Sequence, residues 1–149
     1  MTWEPKDPDF ERKVRESFVR QTIMGTIGAD LRRVAPGEIE IGVPFRRDLA
    51  QQHGFLHAGV LTTVMDSACG YAALTLAPPG AGVLAIEFKA NFLRPADGDV
   101  VARGSVLKPG RTVTVCRADA FVRERGGEKL VATMLGSIMT VRDRDGVVG

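Results

Sequence analysis

Charge is nearly absent from one long stretch of this chain. Between Asp48 and Glu87 the only Asp, Glu, Lys or Arg is Asp66. Other features are scarce too, and each scarcity excludes something. The two cysteines, Cys69 and Cys116, have no C-x-x-C spacing, which speaks against a disulfide scaffold and for buried free thiols in a reducing compartment. Nothing near them in sequence would lower their pKa, so they read as core residues and not as nucleophiles. The two histidines, His53 and His57, flank Gly54 and have no third ligand, so no metal site is expected. Ser67 has no histidine to activate it and reads as a packing residue. A net charge of +2 and a pI near 8.7 are too mild for a nucleic-acid binder. Residues 1–20 are charged throughout without an apolar leader-like run, giving an expected cytoplasmic location. There is no internal repeat and no linker. The expectation is one domain over 1–149, with a core of about 28–142.

What is present centres on the charge-poor stretch. Gln51 to Leu76 is apolar and rich in small residues, and Ala77-Pro78-Pro79-Gly80 closes it. The run is long enough for a membrane span, but a central Asp costs ~3 kcal/mol there on the most lenient scale. A buried helix in a soluble protein fits better. Its small residues, Ala58, Gly59, Ser67, Ala68, Gly70, Ala72 and Ala73, would let strands approach the axis closely. A helix apolar nearly all round is expected to be buried nearly all round. A carboxylate in such a helix must find a partner or shift its pKa, so Asp66 is a candidate for chemistry.

The flanking sequence predicts an amphipathic helix over Asp9 to Met24, with Phe10, Val14, Phe18 and Ile23 as its apolar residues. A hairpin follows, Leu31–Val34 and Ile39–Val43, turning at Ala35-Pro36-Gly37. Val83 to Leu93 is the clearest strand. Leu84, Ile86, Phe88, Ala90 and Phe92 alternate with polar residues, which predicts one buried face. Val100–Leu107, Thr112–Arg123 and Lys129–Val141 are three further strands joined by Pro-Gly and Gly-Gly turns. Arg142 to Gly149 reads as a frayed polar tail. This order predicts an α+β fold, an antiparallel sheet wrapped around a long central helix, with a short N-terminal helix.

Three motifs carry a family resemblance. Gly54-Phe-Leu-His57-Ala-Gly59, with an acid nine residues after the histidine, resembles the helix-start signature of PaaI-like hotdog-fold acyl-CoA thioesterases. Asn91-Phe-Leu-Arg-Pro95 is similar to that family's strand-ending Phe-x-x-Pro pattern, and Gly110-Arg111-Thr112 to its Gly-Arg turn. The matches run in order from Gln51 to Val141.

The resemblance implies a hotdog fold and thioester hydrolysis without a cofactor. It implies Asp66 as general base or nucleophile, and the backbone N–H of Ala58, with Gly59 beside it, as oxyanion donor. The family's Asn six residues before the histidine falls at Gln51, with Gln52 as the neighbouring substitute. Ala85 stands where many relatives place a water-holding Ser or Thr. His57 is assigned to the site chiefly as the residue that holds the helix start. Arg94, Lys108 and Arg111 are expected to converge on the coenzyme A phosphates.

Helix physics agrees with this reading. The unpaired N–H groups and partial positive charge of a helix start can stabilise an oxyanion. Asp66 lies eight residues beyond Ala58, about 12 Å along one axis, too far to share a reacting carbon. The expected assembly is therefore a homodimer with a composite site, associating further to a tetramer. Three classes stand open at this point: an acyl-CoA hydrolase, an acyl-thioester hydratase or dehydratase, and a non-catalytic acyl-CoA-binding module. The hydratase relatives' Pro-rich histidine and Asp-x₄-His motifs are both absent. The acyl group stays open among aryl-acetyl, medium-chain and short branched types.

Overall fold

The apolar spacing of the N-terminal segment does form a helix, shorter than predicted. The computed structural model describes residues 2–149. Helix α1 spans Phe10–Arg20 and buries Val14 and Phe18. The chain then breaks at Gln21, which is extended (φ −77°, ψ 91°), and resumes as the short α2, Thr22–Thr26. The break shifts the apolar phase by one residue. Met24 is buried and Ile23 is exposed, the reverse of the predicted order. The side chain of Gln21 explains what holds the break, since its Nε2 donates to Ser67 Oγ at 3.2 Å.

Six strands follow the predicted order: β1 Asp30–Ala35, β2 Glu38–Val43, β3 Gly82–Phe92, β4 Val100–Lys108, β5 Val113–Glu124 and β6 Gly127–Val141. They form one antiparallel sheet in the order β1-β2-β4-β5-β6-β3. The long helix α3, Ala58–Leu74, crosses its concave face. Alternation puts Val100, Ala102, Val106, Cys116, Ala118, Ala120, Ala132, Met134 and Ile138 against the helix, where they are buried with Val64, Met65, Ala68 and Cys69. One glycine sets the spacing of these layers. A Cβ on Gly104 would lie 2.3 Å from the carbonyl oxygen of Ala68, so only glycine lets β4 approach the helix backbone so closely. The fold is the predicted α+β hotdog.

Three expectations need correction. Helix α3 is not buried all round. Ala58, Gly59, Thr62, Thr63, Asp66 and Gly70 form a partly open stripe along it, because no element among the described residues lies over that side. Gly70 accordingly meets no strand. Strand β3 does not bury an apolar face either. It is an edge strand, with Ile86 51 %, Phe88 43 % and Phe92 47 % exposed. A bulge between Ala85 and Glu87 also breaks its alternation. Leu84 pairs with exposed Met139, whereas Phe88 pairs with Gly136, which faces Cys69 of α3. Finally, the tail folds back. Gly149 N donates to Ala81 O at 3.2 Å, and a Cβ on Gly82 would stand 2.9 Å from Val147 O.

Candidate active site

The start of α3 is built by a pinned loop. Ala50 and Leu56 form a β-bridge, Gln51 N donates to Phe55 O at 2.8 Å, and Leu56 N donates to Ala96 O at 2.9 Å. The last bond ties the Gln51–His57 segment to the residue after Pro95, so two of the sequence motifs meet. They line a cleft of about 480 Å³ containing Gln51, Gln52, Phe55, His57, Ala58 and Arg94.

His57 caps the helix. Its Nδ1 accepts from Gly59 N at 2.7 Å, with the residue extended at φ −62°, ψ 139°. An accepting Nδ1 is unprotonated, so that nitrogen is committed to structure and is not a free base. The bond also corrects one expectation, since the Gly59 N–H is already used. The Ala58 N–H has no acceptor among the described residues, as the first amide of an α-helix should not. Ala58 lines the cleft. Gln51 accepts from His53 N through Oε1, which leaves its NH₂ group as the donor end. Gln52 is exposed and its Nε2 lies 3.4 Å from His53 Nε2.

Asp66 lies in a different cavity of about 360 Å³. Ser17, Gln21, Ser67, Gly70, Tyr71, Leu74, Val83, Leu84, Ala85 and residues 146–149 complete its walls. No side chain among the described residues donates a hydrogen bond or an ion pair to Asp66. Partial burial alone holds its carboxyl above the usual carboxylate range. A half-buried carboxyl with nothing neutralising it among the described residues holds a proton more tightly than an exposed Asp, which suits a group that takes one up. Ala85 does face the same cavity, so the residue at the expected water-holding position is present without a hydroxyl. Ser67 Oγ is not a substitute, since it is paired with Gln21.

The sequence reading missed several walls of this cavity. Ser17, Gln21 and Tyr71 come from packing α1 onto α3, with Ser17 Oγ 3.4 Å from Tyr71 OH. Residues 146–149 come from the refolded tail. No local signal marks either. Burial drives the Cys116 thiol up to about 12 and raises Cys69 further, so both are inert, as their sequence context suggested.

The expected cationic cluster does not form within one chain. Arg94 N donates to Val131 O, whereas Thr112 O accepts from Thr140 N. Those two points on β6 are nine residues apart, about 30 Å at strand rise. Arg94 lines the cleft with Ala58, whereas Arg111 lines a separate cavity with Trp3, Lys6 and Arg142. Lys108 is an exposed end of β4 and lines neither.

Comparison with known proteins now places the chain. A model of the thioesterase superfamily matches residues 53–129. A Halobacterium salinarum protein provisionally named an esterase is 31% identical over 115 residues, 73% of this chain and 76% of that protein. A solved thioesterase family protein from Silicibacter pomeroyi is 47% identical, with TM-score 0.86 and coverage of 94% and 99% of the two chains. The E. coli PaaI protein from the phenylacetic acid degradation operon shares the fold at TM-score 0.81 and 19% identity, over 94% of this chain and 96% of its own. The chain belongs to the thioesterase superfamily, and thioester hydrolysis is the class of reaction that this membership assigns. No helix is long and apolar enough to cross a membrane among the described residues.

Proposed function

We propose that the protein hydrolyses acyl-CoA thioesters as a homodimer, with Asp66 of one subunit acting on a thioester held at the Ala58 N–H of the other. The observation that carries this reading is the separation of two complementary half-sites. One holds a free backbone donor and the other an unneutralised carboxyl, and they line different cavities of one chain. The Asp66 cavity includes Val83 to Ala85 at the start of β3, and the Ala58 cleft includes Phe92 at its end. Antiparallel pairing of two β3 edges would set the start of one strand beside the end of the other. Each acid half-site would then meet the partner's donor half-site. The same pairing would cover Ile86, Phe88 and Phe92 and satisfy an open edge. Val113, Met139 and Leu84 form an exposed cross-strand row on the outer face, a surface suited to assembling two dimers into a tetramer.

In this mechanism Gln51 and Ala58 donate to the thioester carbonyl, and Asp66 activates water or attacks directly. Arg94 at the cleft mouth is the cation available to a coenzyme A phosphate. A hydratase reading is disfavoured because His57 Nδ1 is occupied by the helix cap.

Complementation tests the model. Ala58→Pro removes the proposed donor at a helix position that tolerates proline, after a residue already extended as proline requires. Asp66→Asn removes the acid. Each variant alone should lose most coenzyme A release. Mixed and re-equilibrated, they form heterodimers with one intact composite site, and activity should return to about a quarter of the parent for random pairing of a two-fold dimer. Failure to regain activity in demonstrated heterodimers would rule out the composite site.

A further inference from the structure

Helix interiors rarely keep a glycine without a reason, because glycine there is less stable than alanine. Gly104 in β4 and Gly82 in β3 have a steric reason to be glycine, since a Cβ at either would strike backbone. Gly70 does not. It lies within α3, yet an added Cβ would find nothing within 4 Å among the described residues. The space above it belongs to the cavity that holds Asp66. Gly70 is four residues after Asp66, so the two stand on one helix face, a turn apart.

The cavity continues in the same direction. Leu74, another turn along, lies about 12 Å from Asp66 by helical rise. Beyond it the tail closes the end, since Gly149 sits so that a Cβ would be 2.7 Å from Leu74 Cδ1. The polar side walls are already paired among themselves, Ser17 with Tyr71 and Gln21 with Ser67. They leave no orphaned group asking for a water or an ion. Leu74, Val83 and Val147 supply the apolar lining.

We infer that the acyl group of the substrate lies across Gly70, and that the missing side chain there sets the width of acyl group accepted. This rests on the thioesterase reading above and deepens it. The acyl group leaves the carbonyl beside Asp66, passes over Gly70 and ends against Leu74 and Val147. A compact branched or ring-bearing acyl group fills that space. A long unbranched chain runs into the tail wall.

The experiment compares the parent with Gly70→Ala and Gly70→Leu, both better helix formers than glycine. Thermal denaturation and light scattering are measured with kcat/KM for acetyl-, isovaleryl-, phenylacetyl-, octanoyl- and palmitoyl-CoA. Gly70→Ala should melt higher than the parent and remain the same size. Its ratio of isovaleryl or phenylacetyl to acetyl turnover should fall by about tenfold, the discrimination one methyl group brings in an apolar pocket. Gly70→Leu should lower that ratio further. An unaltered acyl profile in an active, folded variant overturns this inference alone. A lower melting point with dissociation overturns it too, because the space would then be filled by the partner subunit. A parent that releases no coenzyme A from any substrate overturns the hydrolase reading itself, and this inference with it.

Discussion

Asp66 is the residue on which the proposed chemistry turns. Its carboxyl is held above the ordinary value of 3.8 by burial, with no partner among the described residues to offset it. A carboxyl with a raised folded-state pKa binds its proton more tightly when folded, so it costs stability as pH rises through that window. Asp66→Asn should therefore be at least as stable as the parent at neutral pH, by a margin that shrinks as pH falls toward 3.8. Its turnover should drop ~10²- to 10⁴-fold. In the parent, the acid limb of kcat/KM should lie above the usual Asp range. Denaturation curves at several pH values, with rates on one acyl-CoA, check both. A variant with near-parental rate would make Asp66 structural. The isolation of this residue in an uncharged run was legible in sequence. That nothing among the described residues pairs with it was not, because partners come from distant segments.

Among the elements, α3 and β4 are locked together by Gly104. Alanine there would place a carbon 2.3 Å from the Ala68 carbonyl oxygen, and neither backbone can yield without moving a layer. Gly104→Ala should cost at least the ~1 to 3 kcal/mol typical of overpacking, read as a lower urea midpoint. If the midpoint is unmoved, the layer spacing is softer than argued. The sequence offered no warning of this contact. It assigned close approach to the small residues of α3, whereas the tightest point is a strand glycine against a helix carbonyl. The same limit applied to the N-terminal helix. Its periodicity was readable, but the break at Gln21 depends on a hydrogen bond to Ser67, 46 residues away.

At the scale of the whole molecule, an open β3 edge carrying exposed Ile86, Phe88 and Phe92 is expected to pair with a second copy. Phe88→Asp places a charge on that edge without touching either half-site. It should shift the protein toward monomer in light scattering and lower activity in parallel. An active monomer would separate catalysis from assembly and sink the composite site.

The sequence by itself determined the element order, the helix start at His57–Ala58 and the isolation of Asp66, because periodicity, caps and missing charge are local properties. Only the tertiary structure decided which surfaces stay open. Alternation in β3 predicted a buried face, but burial depends on what lies alongside, and an edge strand has a neighbour on one side only. The cavity around Asp66 likewise needed α1, β3 and the returning tail to meet. Gly70 reads in sequence as one more small packing residue. Its meaning appears only when the space above it is found empty.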